Sequence, residues 1–198
     1  MSIYQKTPSE VLFERFLSDH GIPCEPIPVT DQPRPDYLVG IGTPWGPVIF
    51  EVKELAQDDN FKRGPFEVSK RKVGEHIRCK IAESKKQIQY GASQGIPSIL
   101  LIYNTLDPVF HMFGTEDHDF RAAMHGDWTL LMERNTAKIV ASGYGRNSSF
   151  RDKHNTSFTA LGHLQPVRRD MTIRLFPNEH AKVSLPKGLP DCFEIVGG

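Results

Sequence analysis

The chain lacks most of the features that mark specialised protein classes. It has three cysteines in 198 residues, Cys24, Cys79 and Cys192, widely separated and without a CxxC pair. That spacing argues against a disulfide framework or a zinc ribbon and predicts a reducing, cytoplasmic setting. Its 24 Lys and Arg balance 24 Asp and Glu, so there is no global basicity to coat nucleic acid non-specifically. No apolar run is long enough to span a bilayer, and the first six residues lack a signal-peptide core, so no membrane partner is expected. The eight histidines form no His-x-His or His-Glu-x-x-His pair, which leaves a zinc or histidine site to tertiary convergence alone. There is no internal repeat, no low-complexity tract and no phosphate-binding glycine loop.

What is present begins with a hairpin. Tyr37 to Ile41 and Val48 to Val52 are short β-branched and aromatic runs, and the turn formers Gly42-Thr43-Pro44-Trp45-Gly46-Pro47 separate them. Folding about that turn sets Leu38 opposite Ile49 and Asp36 opposite Glu51. Side chains alternate faces along a strand, so Asp36, Glu51 and Lys53 share one face. Tyr37, Val39, Ile41, Val48, Phe50 and Val52 form the other. Both faces are otherwise apolar, which predicts a strand pair central in a covered sheet. Charged groups there are costly unless they pair or hold a metal.

Around the hairpin, Thr7-Pro8-Ser9 predicts the start of a helix over Glu10 to His20, stopped at Gly21. A short strand is expected near Glu25 to Val29, a helix over His76 to Ala92 and a buried strand over Ser98 to Tyr103. The second half predicts a helix over Asp117 to His125, a hairpin of Trp128 to Glu133 and Lys138 to Ser142, strands over Phe158 to Leu164 and Met171 to Phe176, and a loop-rich tail. The class is α/β with a central mixed sheet flanked by helices. Residues 1–108 are read as the core and 109–198 as a β-rich extension packed on it, together one compact unit.

The chemistry of the hairpin follows from its donors. Hydrolysing a phosphodiester calls for a metal that offsets charge and activates a water. Magnesium takes oxygen ligands and keeps several waters, so two carboxylates and a carbonyl suffice, with manganese expected to substitute. Asp36 and Glu51 supply the carboxylates and Val52 the carbonyl. Lys53 would orient or deprotonate the water, or offset charge in the transition state. The plainer alternative is a Glu51–Lys53 salt bridge at a strand end, with Pro35-Asp36 as a turn.

On these residues the chain resembles the PD-(D/E)XK, or restriction endonuclease-like, nuclease superfamily. The resemblance covers about the first hundred residues: a helix bearing Glu, then Pro35-Asp36, then Glu51-x-Lys53, then a basic helix and a strand. It implies a magnesium-dependent endonuclease leaving 5′-phosphate and 3′-hydroxyl ends, with Asp36, Glu51 and Lys53 catalytic. It also implies an acid from the first helix. Glu10 and Glu14 lie one turn apart on one face, and Glu10 has the family's spacing from the helix-ending glycine, here Gly21. Gln87 resembles a glutamine that some branches place near the metal.

Residues 62–86 carry nine Lys and Arg against three Glu, a local charge of +6 in a neutral chain. Lys70, Arg71, Lys72, Arg78, Lys80 and Lys86 are the expected nucleic-acid contacts, beside the metal site as a phosphate backbone requires. A solvated helix face is the alternative. Residues 143–154, mixing Gly, Arg, Asn and aromatics, read as a nucleic-acid-contacting or plain surface loop. The expected partner is nucleic acid, DNA ahead of RNA, with a homodimer where both strands of a duplex are cut. The competing function is an inactive nuclease-fold module that binds nucleic acid or protein.

Overall fold

Thr7 opens the first helix by reciprocal capping. Its side chain accepts from the Glu10 amide, while Glu10 Oε2 accepts from the Thr7 amide at 2.7 Å. Pro8 follows, where a missing N–H costs nothing, and α1 runs Pro8–Asp19. Phe13, Phe16 and Leu17 form its buried stripe. The computed structural model describes residues 5–28, 30–56, 72–105, 115–167 and 170–197.

Strands β1 (Cys24–Pro26), β2 (Tyr37–Val39) and β3 (Val48–Leu55) form an antiparallel meander. The register is the expected one, with Tyr37 opposite Phe50 and Leu38 opposite Ile49. β2 is shorter than its apolar run, because Gly40 has a left-handed φ of +79° and turns the chain, leaving Ile41 exposed. The Trp45 ring lies where a Cβ on residue 40 would be, so only glycine fits there. Next come α2 (Glu75–Glu83), α3 (Lys85–Ser93) and β4 (Ser98–Asn104), which returns parallel to β3. The single helix expected over His76 to Ala92 is divided at Ser84, whose ψ of 1° leaves the helical range.

The second half follows as α4 (Asp117–His125), β5 (Trp128–Met132), β6 (Ile139–Tyr144), β7 (Ala160–Val167), β8 (Asp170–Pro177) and β9 (Phe193–Ile195). β7 pairs parallel with β4, giving a seven-stranded mixed sheet ordered β1-β2-β3-β4-β7-β8-β9. The expected β-rich extension is therefore split. β7–β9 complete the central sheet, and β9 lies in the tail expected to be loop; the β5–β6 hairpin forms a separate two-stranded sheet.

Each face of the large sheet carries an apolar layer. On one, α1 packs Phe13, Phe16 and Leu17 against Tyr37, Val48, Phe50, Val52 and Leu101. On the other, Ile77, Ile81, Ile88 and Phe120 cover Leu55, Leu100, Ile102 and Leu161. Each such side chain contributes about 1.5–3 kcal/mol on burial, so β3 is held from both sides. Glu51 and Lys53 alternate with Phe50 and Val52 and so face the α2–α3 layer.

Candidate active site

The site forms where β2 has not yet begun and β3 continues. At that point the β3 backbone lacks a strand partner on its β2 side, and the Asp36 side chain takes the vacant place. Asp36 Oδ2 accepts from the Val52 amide at 2.7 Å. A strand residue points its N–H and C=O to the same edge, so the Val52 carbonyl also faces the Asp36 side. The opposite parity confirms this, since the Ile49 amide donates across the other edge to Pro97 O.

Glu51 is almost fully buried, and its Oε1 lies 2.6 Å from Lys53 Nζ. Its Oε2 is buried with no hydrogen-bond partner among the described residues. The neighbouring acid is Asp36, near enough for its charge to act on Glu51. Burial, then the Asp36 charge, pushes the Glu51 carboxyl up to about 7, with Lys53 opposing. Burial also raises Asp36, against the Val52 amide and Lys53, which favour its ionised form. Burial acts to lower Lys53, but Glu51 and Asp36 outweigh it and the ammonium is held above its ordinary value. A buried acid, a half-buried one and one cation leave an excess of negative charge, which a proton or a bound cation must offset.

α1 contributes from across the opening. Glu10 is buried and, with Asp36, lines a concavity of about 390 Å³ whose wall also includes Lys6, Gln32, Arg34 and Tyr37. Glu14, one turn on, is committed elsewhere: it accepts from the Tyr37 hydroxyl at 2.9 Å and pairs with Lys6 at 2.6 Å. Of the two candidate helix acids, Glu10 faces the concavity, while its Oε2 also closes the helix cap. Lys6 and Arg34 were not singled out from sequence. Their signal was proximity, since Lys6 precedes the helix cap and Arg34 stands two residues before Asp36. The Arg34 guanidinium lies over the Tyr90 ring, 5.0 Å from its centroid.

Gln87 reaches the level of the site by helix packing. Gly91 lies directly on Ile49, where a Cβ would come within 2.5 Å of Ile49 Cδ1. At the other end Lys53 feels the charge of Glu83. The α2–α3 segment thus runs antiparallel to β3, and four helical residues, about 6 Å, match two strand residues at about 6.7 Å. Gln87 falls level with Glu51, and its Oε1 is likewise buried without a hydrogen-bond partner among the described residues.

The basic residues have differing surroundings. Lys70 and Arg71 lie outside the described residues, whereas Lys72 and Lys86 are exposed. Lys80 pairs with Glu83 at 2.9 Å. Arg78 is mostly buried, bound to Asp127 at 2.6 Å, Glu75 at 3.2 Å and the Ala122 carbonyl at 2.8 Å. It ties α2 to the base of the β5–β6 hairpin.

A second acid cluster, missed from sequence, brings ligand atoms of Glu116, His118 and Asp119 within 4.8 Å of one another. Its acids are occupied by the chain itself. Glu116 and Asp119 cap α4 reciprocally, Asp119 Oδ1 accepts from the Gly74 amide at 2.9 Å, and His118 Nδ1 lies 3.0 Å from Glu116.

Searches of protein-family models, curated proteins and solved structures find no match to this chain.

Proposed function

We propose that the protein is a divalent-metal-dependent nuclease, hydrolysing phosphodiester bonds of DNA or RNA through Asp36, Glu51 and Lys53, with a restriction endonuclease-like core. The observation that supports this most is the buried, partnerless Glu51 Oε2 beside a second carboxylate, with Lys53 on the same face. A structural salt bridge needs one acid and one base, and the extra acid has no such role. The family resemblance rests on the order of a helix bearing Glu, Pro35-Asp36, Glu51-x-Lys53, a basic helix and a strand, and α1, the start of β2, β3, α2–α3 and β4 follow one another in that order.

The donor set fits magnesium or manganese: two carboxylates from Asp36 and Glu51, and the Val52 carbonyl on the Asp36 side. When bound, the ion would acidify a water and offset phosphate charge. Glu51 must be ionised to ligate, so a group titrating at about 7 makes metal affinity rise with pH up to that point. Lys53 is held protonated at neutral pH, which favours its stabilising charge on the phosphate over its removing a proton from water. Glu10 would act through water, from the far wall of the concavity. Gln87 would supply a neutral oxygen at the level of Glu51. Of the basic residues expected to contact nucleic acid, Lys72 and Lys86 are exposed to a phosphate backbone, and Arg34 provides another cation beside Asp36.

The test is incubation with magnesium or manganese and a panel of linear, circular, single-stranded and branched DNAs and RNAs. Cleavage to 5′-phosphate ends is expected, and Asp36→Ala or Lys53→Ala should remove it while circular dichroism stays native. Undiminished cleavage by both variants would sink the assignment. So would calorimetry showing no manganese binding at millimolar metal.

A further inference from the structure

The β5–β6 hairpin has a surface that the proposed chemistry does not use. Trp128, Leu130, Leu131, Met132, Ile139, Val140 and Tyr144 are each between 37% and 61% exposed. Residues two apart share a face, so Trp128, Leu130 and Met132 line one side, and the pairing adds Tyr144 and Ile139 to it. A bulge between Leu131 and Met132 alters the register near the tip. From these exposures the apolar surface of the hairpin amounts to roughly 700 Å² over both faces, of which the Trp128 face carries roughly 500 Å², at the upper end of what one patch on a monomer shows. A two-stranded ribbon is also only marginally stable by itself in water.

We infer that this hairpin is the interface through which two copies of the chain associate about a two-fold axis. The area is the first argument, since a stable interface takes about 800 Å² from each partner and the Trp128 face supplies more than half of that before its polar rim is counted. Charge is the second. Neither strand carries a charged side chain. A two-fold axis brings each group towards its own copy, so a charge-free centre avoids like-charge repulsion there. Glu133, Arg134 and Lys138, an acid and two bases, are confined to the exposed tip. The whole chain has zero net charge and so no long-range self-repulsion. A nucleic acid would instead require cations on these strands.

The hairpin is held ready at its base. The Asp127 amide donates to Arg146 O at 2.7 Å and the Gly145 amide to Asp127 O at 3.1 Å. The Asp127 carboxylate receives Arg78 and Asn147, both at 2.6 Å. A preformed element loses little conformational freedom on docking. Trp128 and Tyr144 also wall a cavity of about 770 Å³ against Lys72, Arg78 and Ala122, a recess for side chains of the partner hairpin. Neither argument depends on the nuclease reading.

The experiment is sedimentation equilibrium of the full chain from about 1 to about 100 µM, with Leu130→Asp/Met132→Asp and the milder Leu130→Ser/Met132→Ser alongside. The wild type should sediment as two chains. The Asp pair should weaken association at least about a hundredfold and the Ser pair at least about tenfold, with native circular dichroism because these side chains are exposed in the single chain. In a Trp45→Phe background, Trp128 emission should shift to the blue as the dimer forms. A wild-type monomer at the highest concentration would overturn the inference. A dimer whose Trp128 emission does not shift, or one undiminished in the Asp pair, would do the same. Cleavage of single-stranded substrate by the variants reads the active site separately, so the two proposals fail independently.

Discussion

Val48–Leu55 and Trp128–Met132 are both apolar runs bounded by turns, yet the first is largely buried while the second is exposed along its whole length. The difference lies in what each meets. β3 has β2 and β4 on its edges and α1 and α2–α3 on its faces, and this enclosure is what makes Glu51 and Lys53 costly and chemically unusual. Among the described strands β5 and β6 pair only with each other, and the rest of the chain holds the hairpin at its base. A buried charge and an exposed apolar patch are the same signal with opposite sign. Each is a local free-energy cost that a metal, in the first case, or a second copy, in the second, would offset.

The comparison can be broken or sharpened by measurement. The largest effect is expected at the candidate site: Asp36→Ala or Lys53→Ala should lower metal-dependent cleavage by about a thousandfold or more, as loss of a group stabilising charge in a transition state does. Asp36→Ala should unfold near the wild-type temperature, because its repulsion of Glu51 goes with it, whereas Lys53→Ala leaves buried Glu51 without its cation and should unfold lower. Next comes core packing. Phe50→Ala, in the layer under α1, should cost about 3–5 kcal/mol in urea denaturation.

A smaller effect concerns Glu51 and pH. Its folded value of about 7 lies above the ordinary 4.5, so its contribution to stability is complete below about 4.5 and is lost as pH rises through 7. Metal-free wild type should therefore lose about 1–3 kcal/mol relative to Glu51→Gln between pH 5 and 8. Magnesium should restore that stability to the wild type alone. Equal pH dependence of the two proteins would remove the argument from burial. The smallest effect belongs to the hairpin: Leu131→Ala should change the stability of the dilute chain by no more than about 0.5 kcal/mol. A loss as large as that of Phe50→Ala would mean that the hairpin packs inside the monomer.

Much of the first half was legible. Alternation and the Gly-Pro turn gave the β2–β3 register, and a capping pattern at Thr7 gave α1, because both are set by residues close in sequence. The second half was harder to read. The strands β7–β9 looked like an extension because nothing local tells a strand which edge it will join, and β9 is only three residues long. Arg78 read as one of a basic run, although its guanidinium is committed to Asp127, 49 residues further on. Among the site residues, Asp36, Glu51 and Lys53 were visible from spacing. The choice of Glu10 over Glu14 acquired its physical reason only when Tyr37 and Lys6 were seen to occupy Glu14.

By itself the sequence determined which residues face the same way: period two along β3 puts Glu51 with Lys53, and the turn puts Asp36 beside them. Only the tertiary structure decided how much solvent each would keep. Burial depends on what packs on a face, and those partners, α1, α2–α3 and β4, come from distant parts of the chain. That is why the same apolar pattern encloses an acid pair in one place and leaves a bare hairpin in another.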